Sequence, residues 1–268
     1  MSTFDKQGFL FRCELDAWES NIRKAHPDWF SLVDDLNLEA MRICYVLQPS
    51  ATDNRQLLAT LLYCRALQSF QGAVLLAARG MPADALTLVR SCAESAIALG
   101  GVAHDEKFIE ALISSSNKHQ KTFINVYLGD TRLFGELTNE QQEYGKALVE
   151  QLNGGALQGF KWEALATKVG MADLYNTVYR FISGEAAHAS LLALDRHMCA
   201  DTEGELERLV VRPDARDVEQ TLSMAVCSLL HVMKKLNQVI SIGDAVAEYM
   251  KRWNALVDSS SIDWQGGA

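Results

Sequence analysis

Between Asp53 and Val102 the chain carries two long apolar segments joined by no more than Gly80-Met81-Pro82. The first reads DNRQLLATLLYCRALQSFQGAVLLAARG, with Asp53 as its expected N-cap and Gly80 as its stop. The second runs ADALTLVRSCAESAIALGG, and Pro82 suits its first turn. So short a connection forces the two helices to pack antiparallel. In residues 83–102 there are three charges, Asp84, Arg90 and Glu94. Asp84 belongs to the first turn, where the helix dipole favours a carboxylate. The neighbours of the other two (Leu88, Val89, Cys92, Ala93, Ala96, Ile97 and Leu99) wrap most of the cylinder. A helix apolar nearly all round is a central helix. The feature therefore dictates an all-α fold, a multi-helix bundle built on a central antiparallel helical hairpin.

The rest of the chain reads as further helices. Residues 4–25 and 28–48 are amphipathic, punctuated by Pro27 and Pro49. Residues 105–127 follow, then TRLFGEL as a loop, then a helix opened by a Thr138-x-x-Gln141 capping box and broken by NGG at 153–155. WEALATKVG and MADLYNTVYRFISG are helical, with a turn at Gly170. Near 192–211 the pattern changes to a short two-stranded hairpin or extended arm. A long helix runs from Asp214 to about 239 with the stripe Val218, Leu222, Ala225, Leu229, Met233, Leu236. The last, 242–257, buries Val246, Tyr249, Trp253 and Leu256. The organisation expected is an N-terminal helical layer at 1–50, a main bundle at 51–258 and a loose tail at 259–268.

Composition narrows the function classes. A formal charge of -9 argues against a generally nucleic-acid-coating surface, although a local basic cleft remains open. The six cysteines, Cys13, Cys44, Cys64, Cys92, Cys199 and Cys227, show no CxxC spacing and read as buried, reduced thiols. The N-terminus lacks an apolar signal core, and charge or glutamine interrupts each apolar stretch short of the roughly 20 residues that span a bilayer. A soluble, cytoplasmic protein with no membrane partner is expected. No P-loop, dinucleotide fingerprint or nucleophile elbow is present, and no cofactor is expected.

The polar residues left inside this apolar frame are the candidate site. Arg90 and Glu94 lie one turn apart and can pair. With the hairpin turn centred between Gly80 and Met81, Arg90 falls opposite Gln71 and Glu94 opposite Leu67, which predicts an internal polar patch of Arg65, Gln68, Gln71, Arg90 and Glu94. Buried Arg and Glu are costly unless paired, so the patch is either a satisfied ion pair or an anion site. The segment YRFISGEAAHAS, 179–190, adds Tyr179, Arg180, Ser183, Glu185 and His188 among small residues. Glu185-x-x-His188 is half of a di-iron motif, but the second half is missing, and a set of Glu185, His188 and His197 is a weak mononuclear alternative. No metal is expected. Ser183 and His188 diverge by about 140° on a straight helix, which disfavours a nucleophile–base pair.

In GMPADALTLVRSCAES at 80–95, LYNTVYRFISGEAAHAS at 174–190 and LVVRPD at 209–214, the chain resembles an uncharacterised bacterial all-helical family, a domain of unknown function. The likeness spans roughly 60–230 and implies Arg90, Glu94, Tyr179, Ser183 and His188 as a polar signature. More distantly the pattern is similar to the HEPN bundles, many of which are metal-independent ribonucleases of toxin and phage-defence systems, with an Arg and a His joined across a dimer. Here Arg180 and His188 are separated by seven residues, wider than that spacing.

Two functions follow. One is an RNA-cleaving or phosphate-handling enzyme of the defence or toxin kind, an endoribonuclease-like hydrolase acting on RNA or a nucleotide. His188 would be general acid/base, Arg90 or Arg180 would stabilise charge, Glu94 would orient the Arg, and Tyr179 and Ser183 would position substrate, with Gln71 and Arg65 lining the site. The other is a non-catalytic helical binding or regulatory module whose polar cluster is a closed network. In both a homodimer is implied, and the N-terminal helices offer a surface for a protein partner.

Overall fold

The computed structural model describes residues 4–10, 12–152, 160–185, 191–200, 202, 204–260 and 262. The central hairpin is present as expected. Helix α4, Asn54–Ala78, is capped by the Asp53 carboxylate, which accepts the backbone N–H groups of Arg55 and Gln56 at 2.9 and 3.1 Å. Helix α5, Pro82–His104, begins with proline in its first turn. At the far end of the pair, Arg55 donates from Nε to Val102 O at 3.0 Å and from Nη2 to Ala103 O, satisfying the last carbonyls of α5.

Gly80 explains the sharpness of the turn. Its φ is +75°, which L side chains rarely adopt, and an added Cβ would lie 2.5 Å from Pro213 Cβ. Asp214 N–H donates to Gly80 O at 2.9 Å, so the turn is docked on the chain just before helix α13, Val218–Leu236. Helix α13 then packs against α4 and α5. All six residues of its expected stripe are buried. The helix starts four residues later than Asp214 because that carboxylate instead accepts Arg216 N–H at 2.9 Å and closes a turn, after which Asp217 sits at φ +60°.

Around this three-helix core lie the shorter elements. At the N-terminus are α1, Phe4–Gln7, a 3-10 turn, Gly8–Leu10, α2, Arg12–Ala25, and α3, Pro27–Val46. Trp29, Leu32, Leu36, Ala40 and Ile43 of α3 join the same buried cluster as α4, α5 and α13. Helices α6, Lys107–Gly129, α7, Thr131–Phe134, and α8, Asn139–Leu152, form an outlying unit; α6 buries Phe108 and α8 buries Gly145. Helix α7 occupies the expected loop, nucleated where Asp130 accepts Arg132 N–H at 3.0 Å. The capping box of α8 is formed in both directions, Thr138 N–H to Gln141 Oε1 at 2.9 Å and Gln141 N–H to Thr138 Oγ1 at 3.2 Å. The NGG stretch at 153–155 lies outside the described residues.

Next come α9, Trp162–Lys168, α10, Ala172–Leu174, a π-helical turn, Tyr175–Tyr179, α11, Arg180–Glu185, and α12, Leu191–Asp195. The expected arm is a hairpin of β1, Met198–Ala200, and β2, Leu206–Leu209, shorter than 192–211 because its first residues form α12. Helix α14, Ala245–Ser259, lays Val246, Tyr249, Trp253 and Leu256 half-buried on the core, tied by Trp253 Nε1–H to Ser223 Oγ at 2.9 Å.

Burial corrects two expectations. Helices α4 and α5 are in fact long and apolar enough to cross a membrane by length and composition, but 50% and 72% of their apolar windows are buried within the bundle itself. All six cysteines are free, yet Cys92 and Cys227 alone are buried; Cys44, Cys64 and Cys199 are half-buried and Cys13 is exposed. Each buried Leu or Ile contributes roughly 2 kcal/mol. A net hydrogen bond contributes about 1 kcal/mol. The core therefore outweighs any single hydrogen bond in stability.

His231 on α13 gives the fold a pH dependence. Burial, with Lys234 and Lys235 nearby, pushes its imidazole down to about 4, from 6.5. Below pH 6.5 the unfolded chain takes up a proton that the folded chain refuses, so stability falls as pH drops from 6.5 to about 4 and this contribution is flat below. The Glu39 and Asp214 carboxylates are held low and act mainly at the acid end. Denaturant titrations across this window are expected to show a loss of up to roughly 3 kcal/mol that His231→Asn largely removes. An unchanged slope in the variant would contradict the assignment.

Candidate functional site

Helix α5 is packed on α4 and α13 along most of its surface, and what remains faces the segment 160–185. Arg90 and Glu94 lie on that face. Their side chains are 22% and 32% exposed, with Arg90 Nε 3.3 Å from Glu94 Oε1. From the other side comes Tyr179, which is buried. Arg90 Nη2–H donates to Tyr179 Oη at 2.9 Å, and the guanidinium carbon stands 4.6 Å from the ring centroid. One cation is thus held by a carboxylate, a phenol oxygen and an aromatic face.

The π-helical turn is what delivers Tyr179. Arg180 N–H bonds to Tyr175 O, one residue further back than in an α-helix. In this turn the Tyr175 and Tyr179 rings stack at 4.9 Å and 19°. An aromatic series continues from Tyr179 to Trp162 at 6.4 Å, to Phe160 at 4.9 Å and to Phe108 at 5.3 Å. Phe108 in turn lies where a Cβ on Gly101 would be, 2.6 Å from its ring, so that glycine lets the aromatic layer touch α5. Burial raises the Tyr179 phenol above its ordinary pKa, and the hydrogen bond and charge of Arg90 offset part of the rise. The phenol is neutral at physiological pH and accepts from Arg90.

The remaining expected residues separate. Gln71 does not face Arg90; its Nε2–H donates to Asn37 Oδ1 at 2.9 Å and to Met41 Sδ at 3.4 Å, both on α3. Arg65 and Gln68 are exposed. The hairpin depth is as expected, since a Cβ on Gly72 would meet Leu88 at 2.7 Å, but the next-door Gln71 points about 100° away around the helix. The expected internal patch across the hairpin is therefore replaced by one between α5 and the π-turn. Ser183 Oγ–H donates to Tyr179 O at 2.7 Å within its own helix. Arg180 is solvent-facing, with Nη2 3.5 Å from Glu163 Oε1 and the guanidinium 5.9 Å from the Tyr175 ring. His188 lies outside the described residues.

Sequence reasoning missed the aromatic partners Phe108, Phe160 and Trp162; the one signal was Gly101, against which the Phe108 ring packs. It also missed His26 Nδ1 and Glu219 Oε1, 2.8 Å apart across 193 residues, for which no local signal exists. Among the described residues no group of three or more His, Cys, Asp or Glu could hold a metal ion. Clefts of about 490 and 630 Å³ lie elsewhere, beside Trp18 and Arg212 and beside Arg55 and Glu110.

If the Arg90–Tyr179 contact fastens the segment, Arg90→Ala and Tyr179→Phe should not be additive. A double-mutant cycle read by denaturant unfolding is expected to give a coupling of about 1–2 kcal/mol. Additive losses would show that the contact does not bind the two elements.

No curated protein and no solved structure matches the chain. A family of unknown function, DUF5677, matches residues 56–206, from the first turn of α4 to the start of β2 and so across Arg90, Glu94 and the π-turn. With more than half of its length matched, the chain belongs to DUF5677, a family of unknown function.

Proposed function

We propose that the chain is a non-catalytic helical binding module in which the Arg90 cluster fastens residues 172–185 to the central hairpin. The observation that carries this reading is the engagement of Arg90 by Glu94, by Tyr179 Oη and by the Tyr179 ring together. Two of its five N–H groups are used in this way and one face is covered by a ring, so a phosphate would meet only the remaining edge of a guanidinium whose charge Glu94 already offsets. The net charge of -9 supports a protein over a polyanion as partner. Leu38, Tyr45 and Val46, exposed on α3, support the N-terminal helices as a partner surface. A soluble, cytoplasmic setting fits the burial of the two most apolar helices inside their own bundle.

One observation favours a second reading, an RNA-cleaving or phosphate-handling enzyme of the defence or toxin type. Arg180, 63% exposed, follows directly on the π-turn and its stacked tyrosines, and π-turns recur at functional sites. Arg180 and His188 would then carry the charge and the proton, with Tyr175 as a stacking surface for a base.

Incubation with total RNA, with and without a chelator, separates the two. The module reading expects intact RNA throughout, a lowered melting temperature for Arg90→Ala and none for Arg180→Ala. Chelator-resistant cleavage that disappears in folded Arg180→Ala and His188→Ala variants would overturn it in favour of the enzyme.

A further inference from the structure

Two thiols meet where the N-terminal layer packs on the hairpin. Cys44 lies in the last turn of α3 and Cys64 on α4, and their sulfurs are 4.0 Å apart. Both residues are half-buried, so the pair is packed but open to a small solute. The register that brings them together is fixed nearby. Tyr63 Oη–H donates to Ala40 O at 2.6 Å, one turn from Cys44, and Gln71 ties α4 to Asn37 further along α3. The other pair of core cysteines behaves differently. Cys92 and Cys227 are buried, and burial holds both thiols far above their ordinary pKa, which leaves them inert.

We infer that Cys44 and Cys64 form an oxidisable dithiol, a modification site for hydroperoxides whose disulfide staples α3 to α4. Burial first, and then the neighbouring sulfur, raise the Cys64 thiol above its ordinary pKa. Cys64 therefore keeps its proton and donates it to Cys44 Sγ, which makes Cys44 the attacking thiolate. Its sulfur attacks one peroxide oxygen. An S–O bond forms, the O–O bond breaks, and the leaving alkoxide or hydroxide takes up a proton. The Cys64 sulfur then attacks the Cys44 sulfenic acid. The S–S bond forms, the S–O bond breaks, and hydroxide leaves with the Cys64 proton as water. Two thiols lose two electrons in all, and the peroxide is reduced to an alcohol or water with one further water.

The staple joins parts of different standing. Cys64 lies inside the family match at 56–206 and Cys44 outside it. Helix α3 carries the exposed Leu38, Tyr45 and Val46, so oxidation fixes that surface to the family domain. A cytosolic dithiol of this kind is transient and reports the redox state. The inference is independent of either reading of the Arg90 cluster.

Peptide mapping of the full wild-type chain tests it. The chain is reduced, freed of reductant, exposed to hydrogen peroxide, blocked with N-ethylmaleimide in denaturant and digested with trypsin. Cleavage after Arg42, Arg55 and Arg65 places Cys44 on peptide 43–55 and Cys64 on peptide 56–65. These two peptides are expected to be joined, and the oxidised chain to melt about 5–10 °C higher in a way that dithiothreitol reverses. In Cys64→Ser, dimedone should capture Cys44 as the sulfenic acid. Maleimide on both peptides at a peroxide dose that oxidises the exposed Cys13 would overturn the proposal, as would a disulfide from either cysteine to any other peptide. A link between 43–55 and 56–65 that leaves the melting temperature unchanged would overturn the staple.

Discussion

Helix α5 is enclosed, and the rest of the structure follows from that. From Cys92 to Val102 its side chains are buried except Glu94, and α4 and α13 supply most of the cover. An element wrapped in this way cannot shift in register without unburying leucines and isoleucines at roughly 2 kcal/mol each. It also cannot hold a charged group except toward the one side not taken by another apolar helix. Arg90 and Glu94 are where they are because that side faces residues 160–185. The costs of half-burying them are met locally, by each other and by Tyr179.

The turn at Gly80 links this core to what lies beyond it. Its backbone conformation and lack of a Cβ let Pro213 and Asp214 pack directly on it. The entry to α13 is fixed there, and Arg196 bridges Asp214 and Asp217 at 3.3 and 2.8 Å to fix the base of the β-hairpin to the same point. Burial would raise the Asp214 carboxyl, but its bonds to Arg216 and the charge of Arg196 outweigh this and hold it below the ordinary carboxylate range. The hairpin is therefore tied at its base by ion pairs to the entry of α13.

Local chemistry made much of the fold legible. The Asp53 cap, the Gly80 stop, Pro82 and the Thr138–Gln141 box are signals within one turn of the helix ends they define. The stripe of α13 is a period that a single segment displays. The site was only half legible for the same reason. Arg90 and Glu94 stand out as charges in an apolar helix, and Tyr179 as part of a polar run. The hydrogen bond between Arg90 and Tyr179 spans 89 residues and depends on a π-turn that no local rule of spacing announces. Gln71 was misplaced because a hairpin turn fixes depth along a helix but not rotation about it. The third helix, α3, drew that glutamine to Asn37.

Helices α4, α5 and α13 pack as one core, and α6 to α8 are an appendage to it. Native-state hydrogen exchange read by mass spectrometry tests it most directly. The account predicts that amides of 59–78, 85–102 and 221–236 exchange last and together, at the free energy of global unfolding, while 110–150 exchanges earlier through local opening. Equal protection of 110–150, or loss of α13 before the hairpin, would contradict it.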